Sequence, residues 1–176
     1  YNNGGNGIVV QRGSENIPSP SNITITGGEV YGNGAEGVLI KMSSEVTVSG
    51  VDIHDNISAG VRIYGSNHVE LIDNTLNSNS LGNPVPEIII QSYNDTLGVS
   101  GKYYNGSDNT IQSNIITGSN LSTYGVAERN EDGTDRNAII GNTISHTSNG
   151  ATLVYGDGSY VSDTVPMITV QGTAGN

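Results

Sequence analysis

Short runs in which aliphatic and polar residues alternate recur along the whole chain. One run returns six times, at Gly7–Arg12, Gly37–Met42, Gly60–Gly65, Glu87–Ser92, Gly125–Asn130 and Ala151–Gly156, with starts separated by 30, 23, 27, 38 and 26 residues. A second run alternates with it, beginning at Ile23, Val46, Val69, Thr110 and Ala138. A third follows, with Val30, Ile53, Leu76, Ile116 and Ile144 as its aliphatic members. The internal period of each run is two, so these are strands and not helices. In the first run the residues one and three places after the opening position face one way: Ile8 and Val10, Val38 and Ile40, Val61 and Ile63, Ile88 and Ile90, with Ile8, Val38, Val61, Ile88 and Val126 expected to stack as one interior column. Those two and four places after it face the other way.

Three β-rich runs per repeat of roughly 25 residues, divided by Gly, Asn and Asp turns, predict a parallel β-helix. The all-β, right-handed solenoid would have about six coils in residues 1–171, as a single domain, with 172–176 as the start of a linker. A leucine-rich repeat needs its Leu-x-x-Leu-x-Leu frame, which is absent. Asn33, Asn56 and Asn79 are spaced 23 apart. They are expected in the turns, where asparagine tolerates left-handed backbone and its amide hydrogen-bonds along a stack. The regularity breaks between Gln91 and Asn109, where Ser92–Gly106 is an excursion carrying Tyr93, Tyr103, Tyr104 and Lys102. Long excursions from a solenoid are tolerated loops or functional ones, and tyrosines with Lys102 suit contact with a sugar.

Composition suits a stack. Hydrophobic residues are 34% of the chain, and there is no Phe, Trp or Cys, so the core is assembled from many aliphatic side chains without disulfides. The net charge is −11, from 6 basic and 17 acidic residues, which excludes general nucleic-acid binding and would repel an acidic polymer. No run is long enough to span a membrane. The basic residues, however, are not scattered. Four of the six, Arg12, Lys41, Arg62 and Arg129, fall inside the six first-run windows, where random placement would put about one. Only Glu87 and Glu128 are acidic there, so the windows sum to +2 and the rest of the chain to −13. The outward residues four places after each opening position are Gln11, Lys41, Tyr64, Gln91, Arg129 and Tyr155. With coils about 4.8 Å apart they form one row. A basic row bearing Tyr and Gln on an acidic solenoid is what a carboxylated sugar chain requires: cations meet carboxylates, amides meet hydroxyls and rings meet sugar faces. Cover for an exposed sheet is the plainer explanation. The candidate substrate-binding residues are therefore Gln11, Arg12, Lys41, Arg62, Tyr64, Gln91 and Arg129.

Five segments, 7–13, 36–42, 60–65, 90–96 and 122–130, resemble in order the later half of the catalytic module of the secreted, calcium-dependent mannuronan C-5-epimerases of bacteria. The tail 172–176 resembles the lead-in to that family's calcium-binding nonapeptide repeats. The resemblance implies an extracellular protein, calcium as cofactor, alginate or another acidic polysaccharide as partner, and conversion of β-D-mannuronate to α-L-guluronate within the polymer. In that chemistry a base removes the C5 proton, the uronate carboxylate is neutralised, and an acid returns a proton from the other face. The resemblance places Gln11, Arg12 and Lys41 beside the family's groove. The family's Asp-Pro-His-Glu motif is missing, since the chain has no Asp-Pro or Pro-His dipeptide. No catalytic residue is assigned here, and the chain alone is expected to be inactive.

Other chemistry is thin. His54, His68 and His146 share no metal-ligand spacing. Asn130–Asp135 is rich in oxygen donors but lacks the distal Glu of a calcium loop, so no metal ligand is assigned. A polyuronate lyase on the same scaffold and a non-catalytic polysaccharide-binding β-helix remain as alternatives, and a monomer without nucleic-acid or membrane partners is expected.

Overall fold

The computed structural model of the chain describes residues 1–13, 17–95, 102–129, 133–162 and 168–170. The first coil holds β1 (Ile8–Gln11), β2 (Ile23–Thr26) and β3 (Glu29–Tyr31). The second holds β4 (Val38–Lys41), β5 (Ser44–Ser49) and β6 (Asp52–His54), and the third β7 (Val61–Tyr64), β8 (Asn67–Ile72) and β9 (Thr75–Asn77). The fourth opens with β10 (Ile88–Gln91), leaves the solenoid as a hairpin of β11 (Tyr93–Asp95) and β12 (Lys102–Tyr104), and returns through β13 (Thr110–Gln112) and β14 (Ile115–Thr117). The fifth holds β15 (Tyr124–Glu128), β16 (Ala138–Ile140) and β17 (Thr143–Ser145). A sixth has β18 (Gly150–Val154) and β19 (Tyr160–Ser162), and β20 (Ile168–Val170) pairs on β18. No helix occurs among the described residues.

The strands stack in parallel into three sheets, as the periodicity predicts. In the first sheet Ile8, Val38, Val61, Ile88 and Val126 are in register and continue into Thr152. The third sheet aligns Val30, Ile53, Leu76, Ile116 and Ile144. The second sheet departs by one residue: Thr110 pairs with Glu70 and Ala138, not with Val69, so its interior column is Ile25, Val48, Leu71, Ile111 and Ile139. The aliphatic residue, not the opening of the run, sets the register. These columns merge into one continuous core.

The turns are held by side-chain amides. Nδ2 of Asn33 donates to Oδ1 of Asn56 at 2.8 Å, and Nδ2 of Asn56 donates to Oδ1 of Asn79 at 2.7 Å. Asn74, Asn114 and Asn142 form a second row, and Asn109 and Asn137 a third. All eight side chains are buried. The asparagines themselves are not left-handed. The residue before each one is: Gly32, Asp55 and Ser78 in the first row, with φ of 65°, 54° and 54°. That bend turns the asparagine side chain inward, where its amide can meet the next coil. Gly37 and Gly60 follow from the same row, because a Cβ on Gly37 would lie 2.8 Å from Nδ2 of Asn56 and 2.7 Å from the carbonyl of Gly60. In the fourth coil Glu87 takes that glycine's place, and the first row of amides ends on its carboxylate, 2.8 Å from Nδ2 of Asn79. The third row ends likewise, on Glu128, 2.8 Å from Nδ2 of Asn137.

Candidate functional site

The outward face of the first sheet carries the residues singled out by charge. Glu87 and Glu128 lie in the same windows but are turned inward and buried, so the exposed face is more basic than the window sum implied. Glu87 accepts hydrogen bonds from Asn79 and from the Ser122 hydroxyl, 2.5 Å away. Burial nevertheless pushes its carboxyl above the ordinary carboxylate range, against the lowering effect of those donors. Glu128 receives the backbone N–H groups of Tyr155 and Gly156 at 2.9 and 2.8 Å.

The sheet brings Lys41, Tyr64, Gln11 and Gln91 into one row, since Gln11 pairs with Lys41, Lys41 with Tyr64 and Tyr64 with Gln91. Hairpin β11–β12 folds over this row. Nζ of Lys41 lies 4.1 Å from the ring centre of Tyr93 and 5.4 Å from that of Tyr64. The two rings meet edge to face at 4.7 Å. Arg12 is not on the open face: it is buried, its Nε donates to the carbonyl of Ile17 at 2.8 Å, and its guanidinium donates to the Tyr104 hydroxyl. A guanidinium leaving the strand at its turn reaches the hairpin instead of solvent. Lys102 lies over the Tyr104 ring at 5.3 Å. The result is a nest of Lys41, Arg12 and three tyrosines. Cation–ring contacts hold the Lys41 charge with no carboxylate paired to it among the described residues, while Arg12 is buried and braces the hairpin through Tyr104.

Arg62 is adjacent but differently placed. Its Nε sits 3.1 Å from Oε1 of Glu36, near enough for an ion pair yet not aligned for a hydrogen bond. Glu36 stands one residue outside the second window, which is why a count of window charges missed it. Arg129 is exposed on the fifth coil, three coils from Lys41 and apart from the nest. The sequence marked the excursion's tyrosines and Lys102 for sugar contact but not the seating of Tyr93 and Tyr104 over Lys41 and Arg12. Its one signal was the 38-residue interval that makes room for the hairpin. The seat was legible only in the structure: Gly65, at φ 60°, lies beneath the hairpin, and a Cβ there would come 2.6 Å from Cβ of Tyr93 and 2.8 Å from Cβ of Tyr104.

The histidines stay apart. His54 stacks on Tyr31 at 4.9 Å and its Nδ1 is 2.9 Å from Asp55, while His68 is exposed. Among the described residues no group of three or more His, Asp or Glu side chains is placed to hold the calcium that the resemblance implies. Part of the Asn130–Asp135 loop, part of the excursion and the whole of 172–176 lie outside the described residues.

The family described as "Right handed beta helix region" matches residues 1–165, in keeping with the expected hand. The chain is 54% identical over 169 residues to "Mannuronan C5-epimerase AlgE6" of Azotobacter vinelandii, covering 96% of this chain and 19% of that protein. It is 50% identical to AlgE2 of the same organism, over 93% of this chain and 16% of the relative. "Alginate lyase 7" of that bacterium is 45% identical over 77% of this chain and 16% of its own length. The solved AlgE4 A-module superposes with a TM-score of 0.86 at 47% identity, over 89% of this chain and 41% of that structure. The AlgE6 A-module gives 0.85 at 50% identity, over 94% and 44%. The chain thus spans under a fifth of these curated relatives and under half of the solved modules.

Proposed function

We infer the function from a premise the comparisons supply: the chain belongs to the right-handed β-helix family and is homologous to the A-modules of the mannuronan C5-epimerases. On that premise it is the alginate-binding part of a secreted enzyme that converts β-D-mannuronate to α-L-guluronate in the polymer. The observation that carries the reading is the nest on the first sheet, with Lys41 4.1 Å from the Tyr93 ring centre and Arg12 bonded to Tyr104. A uronate presents a carboxylate on a ring with apolar C–H faces. The nest offers a cation for the first and aromatic rings for the second. Gln11 and Gln91 flank it in the same row and suit sugar hydroxyls. Removing the C5 proton builds negative charge onto the adjoining carboxylate, so a cation held against that group favours the transition state as well as binding. Calcium belongs to the proposal only through the family, and no step is routed through it.

The second reading is a lyase, favoured by the 45% identity to an alginate lyase. Both reactions begin by abstracting the C5 proton and part when the C4 oxygen stays or leaves. Mixing the isolated chain with polymannuronate separates the readings. Calorimetric binding without conversion is expected, because proton-transfer residues are assigned to none of this chain's positions. Guluronate signals by NMR above a heat-killed control would overturn the inactivity. New ultraviolet-absorbing unsaturated ends would establish the lyase. No heat of binding to polymannuronate would sink the polysaccharide reading.

A further inference from the structure

The outward face of the first sheet has a second column, two residues after each opening position, that runs Val9, Leu39, Arg62, Ile89, Ala127 and Leu153. An outward aliphatic residue is ordinarily exposed, and Val9 is, at 48%. The last three are not: Ile89, Ala127 and Leu153 are exposed by 0%, 3% and 9%. They lie at the base of the fourth to sixth coils, where Ala127 and Leu153 line a cleft of about 490 Å³. Tyr124, at the start of β15, and Tyr155, just past β18, also line it. Pro84 and Pro86 of the 84–86 bend line it as well. That bend is pinned, because the Val85 carbonyl accepts from the Ser80 hydroxyl at 3.0 Å and from the Thr123 N–H at 3.2 Å. Arg129 supplies a cation at the rim, and no acidic side chain among the described residues pairs with it. Glu128 also borders the cleft, but Asn137 and the N–H groups of Tyr155 and Gly156 already hold its oxygens.

We propose that this cleft is a separate distal subsite that seats one uronate unit of a chain whose other end lies on the nest around Lys41. The inference rests on the alginate-binding reading and goes beyond it in assigning a second anchor. The chemistry is matched part by part. The alanine makes the depression, the apolar base and the tyrosines take the C–H faces of a pyranose, and Arg129 takes its carboxylate. Lys41 and Arg129 are three coils apart, about 14 Å at ordinary strand spacing. A trisaccharide is too short to fill both seats fully, and an octasaccharide spans them. Bridging two seats on one rigid sheet raises affinity without a new kind of contact.

The test is calorimetry of mannuronate trisaccharide and octasaccharide with the chain and three variants. For the unaltered chain the octasaccharide should bind at least tenfold more tightly. Ala127→Leu projects a larger side chain into the cleft, and Arg129→Ala removes the rim cation. Each should shrink that gain several-fold, the scale of a lost charged or packed contact. Ala127→Gly leaves the depression open and should keep the gain, which separates cleft filling from damage to the fold. A gain that is absent in the unaltered chain, that survives Ala127→Leu and Arg129→Ala, or that is lost equally in Ala127→Gly and Ala127→Leu overturns the subsite. Failure of both oligosaccharides to bind the unaltered chain overturns the alginate reading itself, and the subsite with it.

Discussion

Single residues decide how much of the basic row is available to a ligand. Lys41 is held by rings and not by a carboxylate, so Lys41→Ala should weaken binding of polymannuronate several-fold to tenfold. Arg136 is engaged by Asp108 through two 2.8 Å contacts, so Arg136→Ala should leave the isotherm unchanged. Arg62→Ala should fall between the two because Glu36 offsets its charge, and Glu36→Gln should strengthen binding at low salt. Physiological salt should narrow all these differences. The same four isotherms at two salt concentrations check the whole set, and equal losses would mean that only net charge matters. Glu87 makes a different forecast. Its carboxyl is raised by burial, so the folded state retains a proton that the unfolded chain gives up near pH 4.5. The stability it contributes is full below that pH and is lost as pH rises through the higher folded value. Urea midpoints of the unaltered chain minus those of Glu87→Gln should therefore fall as pH is raised above 4.5. A constant difference would contradict a buried, titrating carboxyl.

At the scale of strands and turns, much was readable in advance. Alternation alone located all five interior members of the first sheet's column, and the third sheet's as well. It failed by one residue at Thr110 and Ala138, because a run's first residue says nothing about which later one is buried. The asparagine rows were foreseen at Asn33, Asn56 and Asn79 from equal spacing. The other two rows were not, because the longer fourth coil breaks their interval. The nest was half legible: charge pointed to Lys41 and Arg12, but what covers them is a hairpin, and a hairpin's docking site leaves no period in a sequence. Gly65 tests that docking. Its φ of 60° and the 2.6 Å approach of Tyr93 leave no room for a methyl group, so Gly65→Ala should unseat the hairpin. Faster proteolysis between Tyr93 and Tyr104, with polymannuronate affinity reduced about as much as in Lys41→Ala, would bear this out. In the core, Val38→Asp places an unpaired charge in a fully buried column and should cost several kcal/mol. Loss of the β signal in circular dichroism at room temperature is the expected reading.

Taken whole, the molecule is a stack in which each coil is buried by its neighbours, so damage is local at first and spreads along the axis. The same construction explains how one acidic chain presents a basic ribbon. Parallel stacking in register brings residues chosen once per coil onto one face, and of the four basic residues on that sheet or its exit Lys41 and Arg129 stay without a carboxylate partner among the described residues, while Arg12 is buried and Arg62 is paired with Glu36. On the proposed alginate-binding reading, the acidic remainder would repel uronates elsewhere and direct a polymer to this face by exclusion as much as by attraction. A globule of the same composition would have no such face.

The amide rows give the stack one more property. Every described link runs the same way: Asn33 to Asn56 to Asn79, Asn74 to Asn114 to Asn142, Asn109 to Asn137. Dipoles aligned head to tail reinforce one another, so each row has an electrically positive pole at its last NH2 group. Two of those poles end on carboxylates, Glu87 and Glu128, which sit where a helix would place an acidic cap. The turns of the solenoid are therefore polarised along its axis, and two of the rows meet a buried acidic cap inside the stack.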